Sequence, residues 1–453
     1  MTADVVIIGS GFAGMSSAVR LVEAGLRVVV VEQAPRLGGR ATAFVDRDTG
    51  ERVDNGQHVL FGCYRETYDF LRRIGAAAYA PLAPTLRLSM AGRDGSRFDL
   101  VCPPLKAPWH LVGGLMRWRA LTARDRLAAM RLRGLLRDVA RDGAEAAASR
   151  VPAEQTVSDW LAAQGQTGRL NEWLWHPLAL AALNQSPAVA AARPFVRVLG
   201  ELFGPRPDDA AVGLPVVPLD ELYAVPAAAL IERRGGRVLR KLPARVALDD
   251  IGIARVEAGQ ETIGTRAVIS AVPWHAFDAI WRDGVPPPLA RLAGDAARRT
   301  SSPIVTVNLW LDAPSLIGRF VGLAGGPMHW VFDKGAIYGN STAHLSVVAS
   351  GAADLAALEN SDVTARAWQH LQEALPVLRA RTLRRSVVVR EHRATFSLAP
   401  AQPPRPAAGT AVRGFYLAGD WTDTGLPGTI EGAVRSGHTA ADRLLADWPI
   451  ITR

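Results

Sequence analysis

The first 32 residues read as strand, glycine turn, helix and strand, which predicts an α/β protein built on a Rossmann-like domain. Three observations carry that prediction. Val5-Val6-Ile7-Ile8 is a short apolar run that stops at glycine, as a strand buried on both faces does. Gly9-Ser10-Gly11-Phe12-Ala13-Gly14 matches G-x-G-x-x-G and opens a helical stretch, Ala13 to Ala24. Leu26 to Glu32 then reads as a second buried strand that ends in a carboxylate.

Each residue of the turn has a physical task. Gly9 permits the tight turn, Gly11 lets a pyrophosphate approach the backbone, and Gly14 lets helix and strand pack closely. The helix start at Phe12 and Ala13 offers free N–H groups and the positive end of a dipole. Glu32 accepts from ribose hydroxyls and repels a 2′-phosphate, with Gln33 beside it. A tight turn beside a surface glutamate is the alternative, but both features stand in register.

Further elements follow in order. Leu222 to Arg234 reads as a helix, Arg237 to Leu242 as a strand, and Ala267 to Pro273 as a buried strand closed by proline. Phe415 to Asp420 runs from strand into loop, and Glu431 to Leu445 is a closing helix. These pieces predict a discontinuous nucleotide domain from 1–84, 221–285 and 407–453. The stretches 85–220 and 286–406, rich in tryptophan, proline and arginine, predict a discontinuous α+β substrate domain.

Composition bounds the function. The 453 residues exceed one ordinary core, and 49% hydrophobic with 21% charged residues excludes a disordered chain. The net charge of +9 favours an acidic surface partner, and only Lys106, Lys241 and Lys334 among the basic residues are lysines. No zinc-finger or RNP-type motif occurs, so nucleic acid is not expected. Two cysteines, Cys63 and Cys102, are too few for a disulfide framework or a zinc site, so no metal is expected. No signal-peptide pattern and no run of about 18 apolar residues is found, so a cytoplasmic protein without a spanning helix is expected.

Gly38-Gly39-Arg40, with Leu417-Ala418-Gly419-Asp420-Trp421-Thr422 and Gly428-Thr429-Ile430-Glu431-Gly432, resembles the GR2-type amine-oxidase and phytoene-desaturase flavoproteins. The resemblance implies FAD. It places Gly39 and Arg40 near the pyrophosphate, where a guanidinium binds phosphate with two bonds. It places Asp420 and Gly419 on the ribityl chain or pyrophosphate, and aims the helix begun by Thr429, Ile430 and Glu431 at the flavin N1/C2=O edge. A helix N-terminus there stabilises the charge of reduced flavin. Gly56, Gln57, His58 and Val246 are further implied contacts. Amine oxidases of the superfamily carry tyrosine where this chain has Thr429, so amine oxidation is disfavoured.

Four stretches are similar to the bacterial hydroxysqualene dehydroxylases: Asp54 to Tyr64; Trp175 to Leu178 with Ala182-Leu183-Asn184; Trp330 to Gly335; and Arg393 to Phe396 with the C-terminal block. The sequence departs from that pattern at Lys334 and His329. The resemblance implies reductive loss of the allylic hydroxyl of hydroxysqualene to give squalene, in isoprenoid and hopanoid biosynthesis. It also implies handover from upstream prenyl-condensing enzymes. A carotenoid-type desaturase and a non-catalytic flavin-bound polyprenyl carrier are the alternatives.

Hydroxide leaves poorly, so an acid must assist. Candidates are His58, Asp333 and His176. Histidine donates near neutral pH, whereas an aspartate needs an apolar site. His58 either acts as acid or only hydrogen-bonds flavin or backbone. Asp333 either acts as acid, ends a turn or pairs with Lys334. Trp330, Trp173 and Trp175 either face a cation with their π systems or pack in a core. A thirty-carbon substrate comes from lipid. Met116 to Arg141 interleaves eight arginines with apolar residues, either as an amphipathic pair on the inner face of an anionic membrane or as a solvated cover of the core.

Overall fold

The computed structural model describes residues 1–250 and 252–451. A five-stranded parallel sheet has the order Phe415–Leu417, Ala267–Ser270, Val5–Ile8, Val28–Glu32, Arg237–Arg240. The first four of these strands are buried along their whole length, which is why they read as unbroken apolar runs. The fifth strand, at one edge, is less buried, with Arg237 and Arg240 exposed at its two ends. Helices Phe12–Glu23 and Ile430–Ile451 pack against each other beside the sheet, so the two ends of the chain meet.

A second, seven-stranded sheet has the order Leu383–Phe396, Ser301–Leu311, His344–Ser350, Trp330–Asp333, Phe320–Ala324, Arg87–Gly92, Arg97–Val101. Phe320–Ala324 and Arg87–Gly92 run parallel, and the other neighbours are antiparallel. Side chains on a strand alternate between faces. One set, Val305, Val307, Leu309, Val321, Val331 and Val347, joins the core with helix Asn360–Ala374. The alternate set, Ile304, Phe320, Trp330, Phe332 and Val348, forms an apolar face of its own. That second face becomes a wall of the site.

Some boundaries move. The strand after Gly236 stops at Arg240 because Lys241 adopts a left-handed φ of 60°. The closing helix continues past Leu445 to Ile451. The arginine-rich stretch is not one amphipathic pair. It breaks into Trp109–Arg117, Ala123–Ala129 and Arg133–Ser149, joined by a 3₁₀ turn, with Gly143 breaking the last helix. Trp118, Leu121 and Leu132 are buried in the core, so most of its apolar face is already covered. Leu127, 68% exposed, is the exception. Among the described residues, no helix is long and apolar enough to cross a membrane.

Candidate active site

A cavity of about 700 Å³ lies between the two sheets. Its lining falls into two chemical sets. Ends of the parallel strands and their following loops supply the polar set, including Gly9, Gly11, Glu32, Arg40, Gly419 and Asp420. The exposed face of the second sheet and nearby helices supply the apolar set, including Leu88, Trp173, Leu178, Phe320, Trp330 and Phe332. Ligands in open α/β sheets bind beyond the carboxyl ends of the strands, and the polar set stands there.

The polar set fits FAD. An added Cβ on Gly11 would meet no protein atom within 4 Å, so the backbone there is bare toward the cavity. Gly39 faces Gly11, its nearest contact to such a Cβ being Gly11 Cα at 3.6 Å. No side chain caps helix Phe12–Glu23 at Gly11, so its first N–H groups remain free for phosphate. The Glu32 carboxylate is oriented by Ser10 N (2.9 Å), Ser10 Oγ (2.7 Å) and Ala34 N (2.8 Å). Arg40 donates to Asp420 Oδ1 (2.6 Å) and to the Ala394 carbonyl (2.7 Å), which ties the Gly38-Gly39 turn to both the loop after the last strand and the second sheet. Thr429 caps the closing helix by accepting from Gly432 N (3.1 Å) and lines the cavity with Ile430. These residues would hold FAD by its pyrophosphate, ribose and flavin edge.

Of the expected nucleotide residues, Phe12, Ala13, Gln33, Gly56, Gln57 and His58 also line the cavity. Gly14 stands behind it, where its bare Cα lets Gly9 approach. Two expected contacts are displaced. Val246 is buried in strand Ala244–Leu248 and its carbonyl accepts from Arg282 N (3.0 Å), while Ala244 and Arg245 line the cavity in its place. The Glu431 side chain turns away from the cavity lining. It accepts from Glu66 N (3.1 Å), Thr67 N (3.0 Å) and Thr67 Oγ (2.7 Å), capping helix Arg65–Arg73 from a distant part of the chain. Burial holds its carboxyl above the usual range despite those donors.

Glu431→Ala is expected to lower unfolding free energy by about 3 kcal/mol, because it strands buried donors. Glu431→Gln keeps an acceptor and sheds the buried charge, so its loss is expected to be much smaller. Urea unfolding of both variants checks the contrast; equal losses would refute the capping account.

Among the catalytic candidates, His58 and Trp330 line the cavity. His58 Nδ1 is 2.9 Å from the Gly56 carbonyl, so the neutral ring carries its proton on Nδ1 and presents Nε2 as an acceptor. Burial lowers its pKa, and the positive charges of Arg40 and Lys334 add to this. Trp330 packs against Phe320 with the ring planes tilted by 41° and closes the apolar wall. Asp333 does not line the cavity. Its carboxylate accepts from Ala336 N (2.9 Å) and from Ser315 Oγ, as the cap of helix Lys334–Tyr338. Its helix-capping side chain is therefore committed away from the cavity. Lys334 does not pair with it but lies buried, donating to Asp54 Oδ2 (2.8 Å) and Gln57 Oε1 (2.5 Å). Gln57 Nε2 in turn donates to the His58 carbonyl (3.1 Å), so Lys334 braces the segment that carries His58. His176 is absent from the cavity lining, whereas Trp173 and Trp175 belong to it.

Asn184 holds the far wall together. Its amide donates to the Ser302 carbonyl (2.9 Å) and Thr395 Oγ1 (3.0 Å), and its carbonyl accepts from Gly351 N (2.7 Å). Sequence reasoning missed Ala271, Val272, Pro273, Arg245, His275 and Glu391, all in the lining. The first three directly follow a parallel strand, and the strand-end rule would have found them.

The flavin containing amine oxidoreductase family model matches residues 12–445. The chain is 32% identical to a hydroxysqualene dehydroxylase of Rhodopseudomonas palustris, over 98% of this chain and 99% of the relative. It is 31% identical to one of Sinorhizobium fredii, over 99% of each. A zeta-carotene desaturase of Zea mays is 25% identical over 96% of this chain and 82% of its own length. The solved structure of a putrescine oxidase bound to putrescine shares the fold, with a TM-score of 0.72 at 16% identity, covering 98% of this chain and 99% of its own. Cradle, cofactor fit and relatives agree: the chain belongs to the flavin containing amine oxidoreductase family, on its hydroxysqualene dehydroxylase branch, and is an FAD-dependent oxidoreductase.

Proposed function

We propose that this protein removes the allylic hydroxyl of hydroxysqualene to give squalene. The observation that carries the reading is the apolar wall that continues from the nucleotide cradle, built by Leu88, Trp173, Leu178, Phe320, Trp330 and Phe332. Such a wall suits a long hydrocarbon and offers little to a charged amine. The names of the most similar relatives point the same way.

Bound FAD, once reduced, supplies the hydride that replaces the departing hydroxyl. The residues do the rest. Apolar side chains hold the chain of the substrate and exclude water, which protects an allylic cation from capture. Trp330 presents a π face to that positive charge. Protonated His58 gives its Nε2 proton to the leaving hydroxyl, and water departs. A proton from solvent restores the imidazolium.

The test is anaerobic. Protein with its flavin chemically reduced is mixed with hydroxysqualene, and flavin reoxidation with squalene formed in equal amount is expected. Absence of both sinks the reading. The resemblance to carotene desaturases supports a second one, in which oxidised flavin desaturates phytoene; that substrate forms the parallel arm. A flavin unresponsive to both substrates is the outcome expected of a carrier.

We further propose that the protein sits on an anionic membrane surface on the cytoplasmic side and receives substrate there. Trp109 is 62% and Leu105 47% exposed, while Leu111 and Leu115 of the same helix line the cavity. Lys106, Arg117, Arg119, Arg124 and Arg133, in the same stretch of chain, are exposed as well. Each basic residue near an anionic surface contributes about 1 kcal/mol. Flotation with phosphatidylglycerol vesicles at low salt is expected, weakened in Trp109→Ala. No flotation there would end the membrane proposal.

A further inference from the structure

A second, smaller cavity of about 330 Å³ lies between helix Ala290–Arg298 and the proline-rich strap that precedes the last strand. Its apolar surface comes from prolines and leucines, and its charged surface from Arg291, Arg299, Arg405 and Asp295. Trp421 lines this cavity and the large one alike, so the two share a wall.

The charges on that wall are unbalanced. The Arg299 and Arg405 guanidinium groups stand 5.5 and 5.6 Å from the centre of the Phe396 ring. Arg299 is 6% exposed, and the acceptors it finds are the carbonyls of Pro403 (2.8 Å) and Pro404 (3.0 Å). Its Nε has no acceptor among the described residues. Arg405 donates to the Leu426 carbonyl, and its carboxylate partner is Asp423 at 3.5 Å, whose side chain is 66% exposed. Asp295 is already paired with Arg298. Three guanidinium groups therefore line a cavity whose one lining carboxylate, Asp295, is engaged by Arg298, while Asp423, the partner of Arg405, lies outside the lining. Burial pushes the pKa of both Arg299 and Arg405 down, and the charge of Arg405 adds to the effect on Arg299.

The unpartnered Nε of Arg299, in a cavity that Arg291 and Arg405 also line, suits a phosphate oxygen, and an anion there offsets the charge that Arg405 places on Arg299. We propose that this cavity is a binding site for a phosphate-type oxyanion, separate from the FAD pyrophosphate cradle. The site touches the cofactor loop from behind. Arg405 donates to the Leu426 carbonyl, and Asp423 N donates to the Pro406 carbonyl (2.8 Å), so the strap is tied to the Asp420-to-Thr429 segment. An anion here neutralises charge behind the loop that carries Asp420. The inference stands independently of which polyprenyl substrate the large cavity takes.

Calorimetric titration of the FAD-loaded protein at low ionic strength tests it, with inorganic phosphate and with pyrophosphate as separate probes. FAD already fills its own cradle, so binding there cannot imitate the result. One saturable site per chain is expected for at least one probe. Arg291→Ala and Arg405→Gln are each expected to weaken it by about tenfold. Arg131→Ala, an equal change of charge away from the cavity, should leave it unchanged. Arg291 is exposed, so its variant will fold even if that of Arg405 does not. Absence of saturable binding of both probes overturns the proposal, as does unaltered affinity in Arg291→Ala.

Discussion

Alanine at position 14 is expected to yield a protein that folds poorly around FAD and loses it on purification. The Cβ would lie 1.9 Å from the Gly9 carbonyl oxygen and 3.2 Å from Ala271 Cβ. Neither obstacle is the flexible end of a side chain. Gly9 is itself pinned, with φ of 106° and its N–H bonded to the Val31 carbonyl (2.8 Å). The helix must therefore slide away from the strand, and its free N–H groups leave the phosphate. A displacement of that kind is expected to lower FAD affinity by about a hundredfold or more. Flavin absorbance per chain and titration of apoprotein measure it. Gly11→Ala provides the contrast. Its Cβ touches no protein atom within 4 Å, so thermal stability without cofactor should be unchanged while FAD affinity falls. A Gly14→Ala variant that keeps stoichiometric FAD would show that the tight packing is not required.

Removing the His58 imidazole is expected to lower turnover by about 10²–10⁴-fold, the usual worth of a positioned acid, with FAD still bound. The pH dependence gives the sign. Burial, with help from Arg40 and Lys334, holds the His58 pKa below 6.5, so the ring is mostly neutral at pH 7. The proton-donating form accumulates as pH falls. Turnover should therefore rise on going from pH 7 toward the lowered pKa and level off below it. That acid limb should vanish in His58→Ala. A variant with wild-type turnover removes His58 as the acid, and a limb that persists in it assigns the titration to another group. Lys334→Met tests the brace behind this histidine. It removes a buried cation bonded to Gln57, so the limb should shift to higher pH as the repulsion disappears.

Much of the cofactor site was legible because its signals are local. A glycine that must lack a side chain, a strand buried on both faces and a helix start are properties of a few adjacent residues. Gly9, Gly11, Gly14 and Glu32 could be read in that way, whereas Arg40, Asp420 and Thr429 were implied by the resemblance to a flavoprotein family. Glu431 and Asp333 could not. Each lies within a functional-looking motif, yet each carboxylate turns toward backbone N–H groups that need a cap, one at Glu66 and Thr67 and the other at Ala336. Direction of a side chain depends on what packs behind it, and that is invisible in a motif.

The substrate wall shows the same division. Alternation along Trp330–Asp333 and Ser301–Leu311 marks two faces, but it does not say which face meets a helix and which meets a cavity. The arginine-rich stretch looked amphipathic, and the core took most of its apolar residues. By itself, the sequence determined the α/β class and the dinucleotide turn, since steric and hydrogen-bonding demands of backbone dictate those residues one at a time; the flavin motif at the other end of the chain was legible through its resemblance to a known family. Only the tertiary structure decided which carboxylates are caps, which strand face lines the cavity and where Arg299 and Arg405 meet, because contacts between distant segments form where the packing of the whole chain leaves room.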